Sequence, residues 1–93
     1  MGAHDFSISQ RAETAEQAYK ICVENAFYES GHDPYNGTIS TTNGFRMILP
    51  LPNESKNDHR SRILDNTEKR GECACWPDPK VSELWHFAGW AAC

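Results

Sequence analysis

Within His32-Asp33-Pro34-Tyr35-Asn36-Gly37-Thr38 the chain gathers an imidazole, a carboxylate, a phenol, a carboxamide and a hydroxyl. Pro34 and Gly37 set the backbone, so His32, Asp33, Tyr35, Asn36 and Thr38 can converge on a small polar ligand or on a partner's backbone. Binding residues concentrate on loops of this kind. The competing structural account is that Asp33 and Asn36 close local turns while Thr38 opens a strand.

Cysteine and histidine are the other reactive types. Cys22, Cys73, Cys75 and Cys93 accompany His4, His32, His59 and His86. Structural zinc favours two to four residues between paired cysteines. Cys73-x-Cys75 is tighter than that and its sulfurs are expected to diverge, so no metal or other cofactor is expected. If 73–76 pairs with 84–90, Cys73 or Cys75 approaches His86, with Cys93 at the chain end. A thiolate assisted by His86 or His32 would also need an oxyanion hole and an orienting third group. The sequence supplies neither, and an enzyme is not expected. Asn36-Gly37-Thr38 contains one glycine and is not the glycine-rich loop that cradles phosphate.

Trp76, Trp85 and Trp90 fall within fifteen residues. On a strand, Trp85, Phe87 and Gly89 share one face, and Leu84, His86, Ala88 and Trp90 share the other. One helix cannot cover both faces, so Trp76 or Trp90 is the expected exposed anchor. An exposed indole is also a surface on which a nucleotide can stack. The acids Glu13, Glu16, Glu24, Glu29 and Asp33 could imitate a phosphate backbone, but Lys20 interrupts them and their spacing is that of a solvated helix face.

These residues must be positioned by a short run of elements. Residues 3–9 alternate, with Phe6 and Ile8 opposed to Asp5, Ser7 and Ser9, as in a half-buried strand. Thr14 with Gln17 forms a capping box, and Ala15, Ala18, Tyr19, Cys22, Val23, Ala26 and Phe27 recur at helical spacing. A helix over 15–30 follows, stopped by Gly31 and Pro34. Residues 38–41 and 45–49 read as two strands of a hairpin turned by Asn43-Gly44, and Pro50 and Pro52 end it. Within 53–71 a short surface helix is expected, capped by Asn57 or Asp58, with Ile63 and Leu64 as its only aliphatics. Residues 73–76 and 84–92 form a second hairpin across Pro77-Asp78-Pro79-Lys80. Gly89 marks a bulge or the close approach of another backbone. The expected fold is one α+β domain over 1–93. Its antiparallel sheet has four to five strands, one main helix on a face and a second short helix.

Composition narrows the function classes. Aromatics at 11% and apolar residues at 39% suffice for a single core. The net charge of −4 divides as −3 over 1–50 and −1 over 51–93, which disfavours nucleic acid, whose binding needs a basic stripe. No apolar run is long enough to span a membrane. The first residues resemble neither a secretory signal nor a myristoylation site, since Phe6 stands where Ser or Thr is needed. A cytoplasmic setting is expected, with thiols reduced and the sequons at Asn36 and Asn53 unused.

Tyr28-Glu29-Ser30-Gly31-His32, Tyr35-Asn36-Gly37-Thr38-Ile39 and Phe87-Ala88-Gly89-Trp90-Ala91 resemble elements of small proteins from phages, plasmids and other bacterial mobile elements. The likeness spans most of the chain outside 50–70. It implies a counter-defence or host-takeover inhibitor that binds a host or defence-system protein and catalyses nothing. The expected binding residues are His32, Asp33, Tyr35, Asn36, Thr38, Trp76 and Trp90. The alternative is an oligomeric sponge for a nucleotide signal, with the same loop at a homodimer interface. A small Cys/His enzyme or zinc protein ranks behind both.

Overall fold

The computed structural model of the chain describes residues 3–30, 39–68 and 71–92. In chain order they form β1 (Ala3–Arg11), α1 (Ala15–Ser30), a single 3-10 turn (Ile39–Thr41), β2 (Phe45–Met47), α2 (Lys56–Asn66), β3 (Cys73–Pro77) and β4 (Leu84–Ala92). The fold is α+β, a four-stranded mixed sheet in the order β1-β4-β3-β2 with two helices. β4 runs antiparallel to both β1 and β3, and β2 runs parallel to β3.

The topology dictates where the helices go. The β1-α1-β2 connection crosses the sheet in one direction, and β2-α2-β3 crosses back. Two crossovers of the same hand that travel in opposite directions place their helices on opposite faces. Accordingly Cys73, Cys75 and Phe87 pack beneath α1 with Ala18, Cys22 and Ala26, whereas Ala74 and Ala88 pack beneath α2 with Ile63 and Ile48. Ala74 stands directly across from Ala88, and these two small side chains leave room for Ile63.

α1 matches its expected span. Thr14 Oγ1 accepts from the Gln17 amide at 3.2 Å, as a capping box requires. Ala18, Cys22 and Ala26 form its buried stripe, and their small volume lets the helix sit close to the sheet. The second hairpin also forms as expected, as β3 and β4. Gly89 allows the close approach foreseen for it: a Cβ there would lie 3.3 Å from Cys73 Cβ and 3.4 Å from Cys73 Cα.

The first expected hairpin does not form. Thr38 lies outside the described residues, Ile39–Thr41 is helical, and Ile39 is buried beneath α1. Asn43 N donates to Gly71 O at 2.9 Å, Cys73 N to Gly44 O at 3.0 Å, and Ile48 N to Cys75 O at 3.1 Å. The bonds of Asn43-Gly44 thus run forward to 71–73, and β2 joins the sheet in parallel. The physical reason is burial: a return onto Ser40, Thr41 and Thr42 would pair Phe45 with a polar strand, whereas β3 offers Cys73, Ala74 and Cys75. Tyr19 locks this arrangement. Thr42 Oγ1 spends its one hydrogen on Ile39 O at 2.6 Å, so the 2.6 Å contact between Tyr19 and Thr42 hydroxyls is donated by Tyr19. Tyr19 Oη then accepts from Gly44 N at 2.9 Å. Its ring packs against Phe45 and Phe87 with centroids 5.3 and 5.8 Å away.

The helix expected within 53–71 is shorter and is not only a surface element. Ser55, rather than Asn57 or Asp58, is the cap, accepting from Asp58 N at 3.1 Å. Ile63 and His59 are buried against the sheet. Among the described residues no helix is long and apolar enough to cross a membrane.

Replacing Tyr19 by Phe keeps the ring cluster but removes the acceptor for Gly44 N–H and the donor to Thr42. We expect Tyr19→Phe to lower stability by about 1–2 kcal/mol, read as a reduced midpoint in urea with an unchanged slope.

Candidate functional site

The tract His32, Asp33, Tyr35, Asn36 and Thr38 lies outside the described residues. The elements on either side of it are described: α1 before it, with Tyr28 fully exposed, and the buried Ile39 after it, both on the α1 face. Trp76 and Trp90 occupy the α2 face, with the sheet between.

None of the three tryptophans is fully exposed, which corrects the expectation of an exposed Trp76 or Trp90. The large exposed apolar side chains among the described residues are Ile8, Tyr28, Met47, Leu49 and Leu51. Trp90 Nε1 donates to Leu64 O at 2.9 Å and Trp85 Nε1 to Ala12 O at 3.0 Å. A buried indole needs such an acceptor, and the carbonyls at helix and strand ends supply it. Trp76 lies between two imidazoles, with the His59 ring edge-on at 4.6 Å and the His86 ring stacked at 5.4 Å.

His86 is the polar centre of this face. Ser9 stands opposite it on β1 and Trp76 opposite it on β3. Its Nε2 lies 3.5 Å from Asp78 Oδ2, the outer limit of a hydrogen bond. Asp78 Oδ1 accepts from the amides of Lys80 and Val81, both at 3.2 Å. The Lys80 amide, with His86 and the Val81 amide behind it, holds the Asp78 carboxyl below its ordinary value against the effect of burial. The carboxylate is therefore first a turn-former and second a partner for His86. His59, on α2, places Nε2 2.8 Å from Ile48 O and ties the helix to the end of β2. Neither Asp78 nor His59 stood out in the sequence. Once 73–77 and 84–92 are paired, the eight-residue offset between Asp78 and His86 is the signal that joins them.

The cysteines lie on the other side. Cys73 and Cys75 do not diverge: one intervening residue returns a strand to the same face, and both are buried beneath α1 with Cys22. His86 faces α2, so the sheet separates it from Cys75, and that Cys-His pair is not formed. Burial pushes the Cys22 thiol up to about 11 and the Cys73 and Cys75 thiols to about 12. Cys93 lies outside the described residues. Among those described, no group of three or more His, Cys, Asp or Glu residues is arranged to hold a metal ion.

A third feature was not singled out from the sequence. Met47, Leu49 and Leu51 are 46%, 54% and 57% exposed, and their i, i+2, i+4 spacing is the one that puts side chains on a common side wherever a chain is extended. Ile48, between them, is buried under α2. The segment is clamped from below. Arg62 donates through Nε and a terminal nitrogen to both Glu54 carboxylate oxygens, each at 2.9 Å, and also to Leu49 O at 2.6 Å. Glu54 Oε1 accepts from Leu51 N at 3.0 Å. The Arg62 guanidinium, helped by that amide, holds the Glu54 carboxyl down at about 2. An open recess of about 600 Å³ between the end of β1 and α1 carries Arg11, Glu13, Lys20, Glu24 and Glu83. No protein-family model, curated protein or solved structure matches the chain.

Two outcomes follow. Cys22, Cys73 and Cys75 should resist alkylation at pH 8 in the native protein and react fully in urea, as read by peptide mass mapping. Asp78→Ala should lower the urea midpoint at pH 7. Because the folded carboxyl titrates below 3.8, its contribution is complete above that value. The gap between variant and wild type should close as pH falls well beneath it.

Proposed function

We propose that this protein is a small non-enzymatic binding protein, encoded by a phage or mobile element, that binds and blocks a host or defence-system protein in the bacterial cytoplasm. The observation that supports it is the clamped apolar stripe. Apolar patches rimmed by polar groups mark protein-binding surfaces. Here Arg62 and Glu54 fix the backbone that presents Leu49 and Leu51, so little ordering entropy remains to be lost on binding. Glu54 stays ionised to about pH 2, and the clamp holds throughout the physiological range. Burial of the thiols as protonated groups removes the three described cysteines from nucleophilic chemistry. The segment 32–38 is the second candidate contact, and the half-buried Trp76 and Trp90 are the third.

The alternative is a nucleotide-signal sponge in which the base stacks beside Trp76 and His86. Native mass spectrometry of the tagged protein from bacterial cytosol separates the two: a bound protein supports the inhibitor, and an excess of a few hundred daltons on an oligomer supports the sponge. With the target in hand, Leu49→Ser with Leu51→Ser should weaken binding at least about tenfold while the urea midpoint stays near wild type. Unchanged affinity in that variant, with loss in Tyr35→Ala with Asn36→Ala, would move the contact surface to the 32–38 segment.

A further inference from the structure

The two edges of the sheet are built differently. β2 is only three residues long and is followed by Pro50 and Pro52, devices that blunt an edge against pairing with another chain. β1 is nine residues long, contains no proline, and has no described strand on its outer side. Ile8 at its middle is 38% exposed although it stands opposite the fully buried Phe87.

We propose that β1 is the interface of a symmetric homodimer, in which two copies pair antiparallel about Ile8 and join their sheets into one of eight strands. This does not depend on the function proposed above. A two-fold axis that pairs strands antiparallel stands normal to the sheet, so each α1 face continues into the α1 face of the second copy. Paired residues must then share a face, which restricts the axis to pass through a residue. Three central positions are available. About Ser7, Asp5 meets Ser9 and Arg11 meets Ala3. About Ser9, Asp5 falls beyond the end of the strand. About Ile8, Asp5 of each copy meets Arg11 of the other, Ser7 meets Ser9, Phe6 meets Gln10, and Ile8 meets itself.

Only the Ile8 register sets the two charged residues of β1 against each other, and it does so twice. It also covers the one exposed large apolar side chain of the strand. Arg60 reaches from α2 to form an ion pair with Asp5, and Arg11 has no ion-pair partner among the described residues. Asp5 has two carboxylate oxygens, enough to accept from Arg60 of its own chain and Arg11 of the second copy. Opposite charges directly across a ladder stabilise it, and like charges oppose it.

Sedimentation equilibrium on the full chain should give twice the 10.5 kDa monomer mass. Arg11→Glu, which sets two carboxylates opposite each other at both ends, should weaken the dimer at least about tenfold. Single cysteines at Ser7, Ile8 and Ser9, placed in a Cys93→Ser background, locate the axis. A residue on the axis faces its own copy with Cα atoms about 4.5–5.5 Å apart, within disulfide reach. Oxidation should cross-link Ile8→Cys fastest. A monomer at all concentrations, or a dimer whose cross-linking peaks at Ser7, at Ser9 or at none of the three, overturns the proposal.

Discussion

The Tyr19 hydroxyl is the joint on which the topology turns. It donates to Thr42 and accepts from the Gly44 amide, fixing the chain at the one point where it must choose between folding back and moving on. With Gly44 tied to α1, the outward hydrogen bonds of 43–48 meet 71–75, and Phe45 completes the ring cluster with Tyr19 and Phe87. A parallel β2-β3 pair needs a crossover. That crossover is α2, and its direction forces it onto the face that α1 leaves bare. The placement of Met47, Leu49 and Leu51, and of the clamp that α2 brings to them, therefore depends on a phenol of α1.

The two faces differ in chemistry for the same reason. Beneath α1 the small residues of the helix and the thiols of β3 form a dry layer in which charge is disfavoured, and the cysteines respond by remaining protonated. Beneath α2 the helix has only two buried side chains, His59 and Ile63, so it covers less of the sheet. His86, Trp76 and Trp90 remain half-buried there. The His86 ring is met by the Asp78 carboxylate and the Trp90 indole by the Leu64 carbonyl, which turns a thin cover into a specific one.

Much of the fold was legible in local pattern. The capping box at Thr14, the period of α1, the alternation of residues 3–9 and the paired apolar runs at the end each carry their own signal, and the facing of Trp85 and Trp90 follows from strand period alone. Three matters were not legible. Asn43-Gly44 is a strong hairpin signal, but tertiary demand for Phe45 beside Cys73 outweighed it. Ser55 precedes a charged run with almost no apolar period, so the cap was misplaced. The stripe at 47–51 was hidden because Pro50, with Pro52 just beyond it, read as the end of a strand. That the following segment would be clamped by Glu54 and Arg62 depends on a contact between residues eight apart that have no helical or strand relation.

The binding residues favoured from sequence were the polar side chains of 32–38 together with Trp76 and Trp90, and the polar groups that the structure describes are largely consumed by the fold. Asp78 shapes a turn, His59 holds Ile48, Glu54 and Arg62 hold each other, and Tyr19 holds Gly44. Among the described residues no buried side-chain polar atom lacks a partner. The strongly shifted groups among the described residues are shifted by what they already hold or by simple burial. The described surface leaves uncovered, among other features, apolar side chain at 47–51 and strand edge at β1, and both gain free energy by being covered.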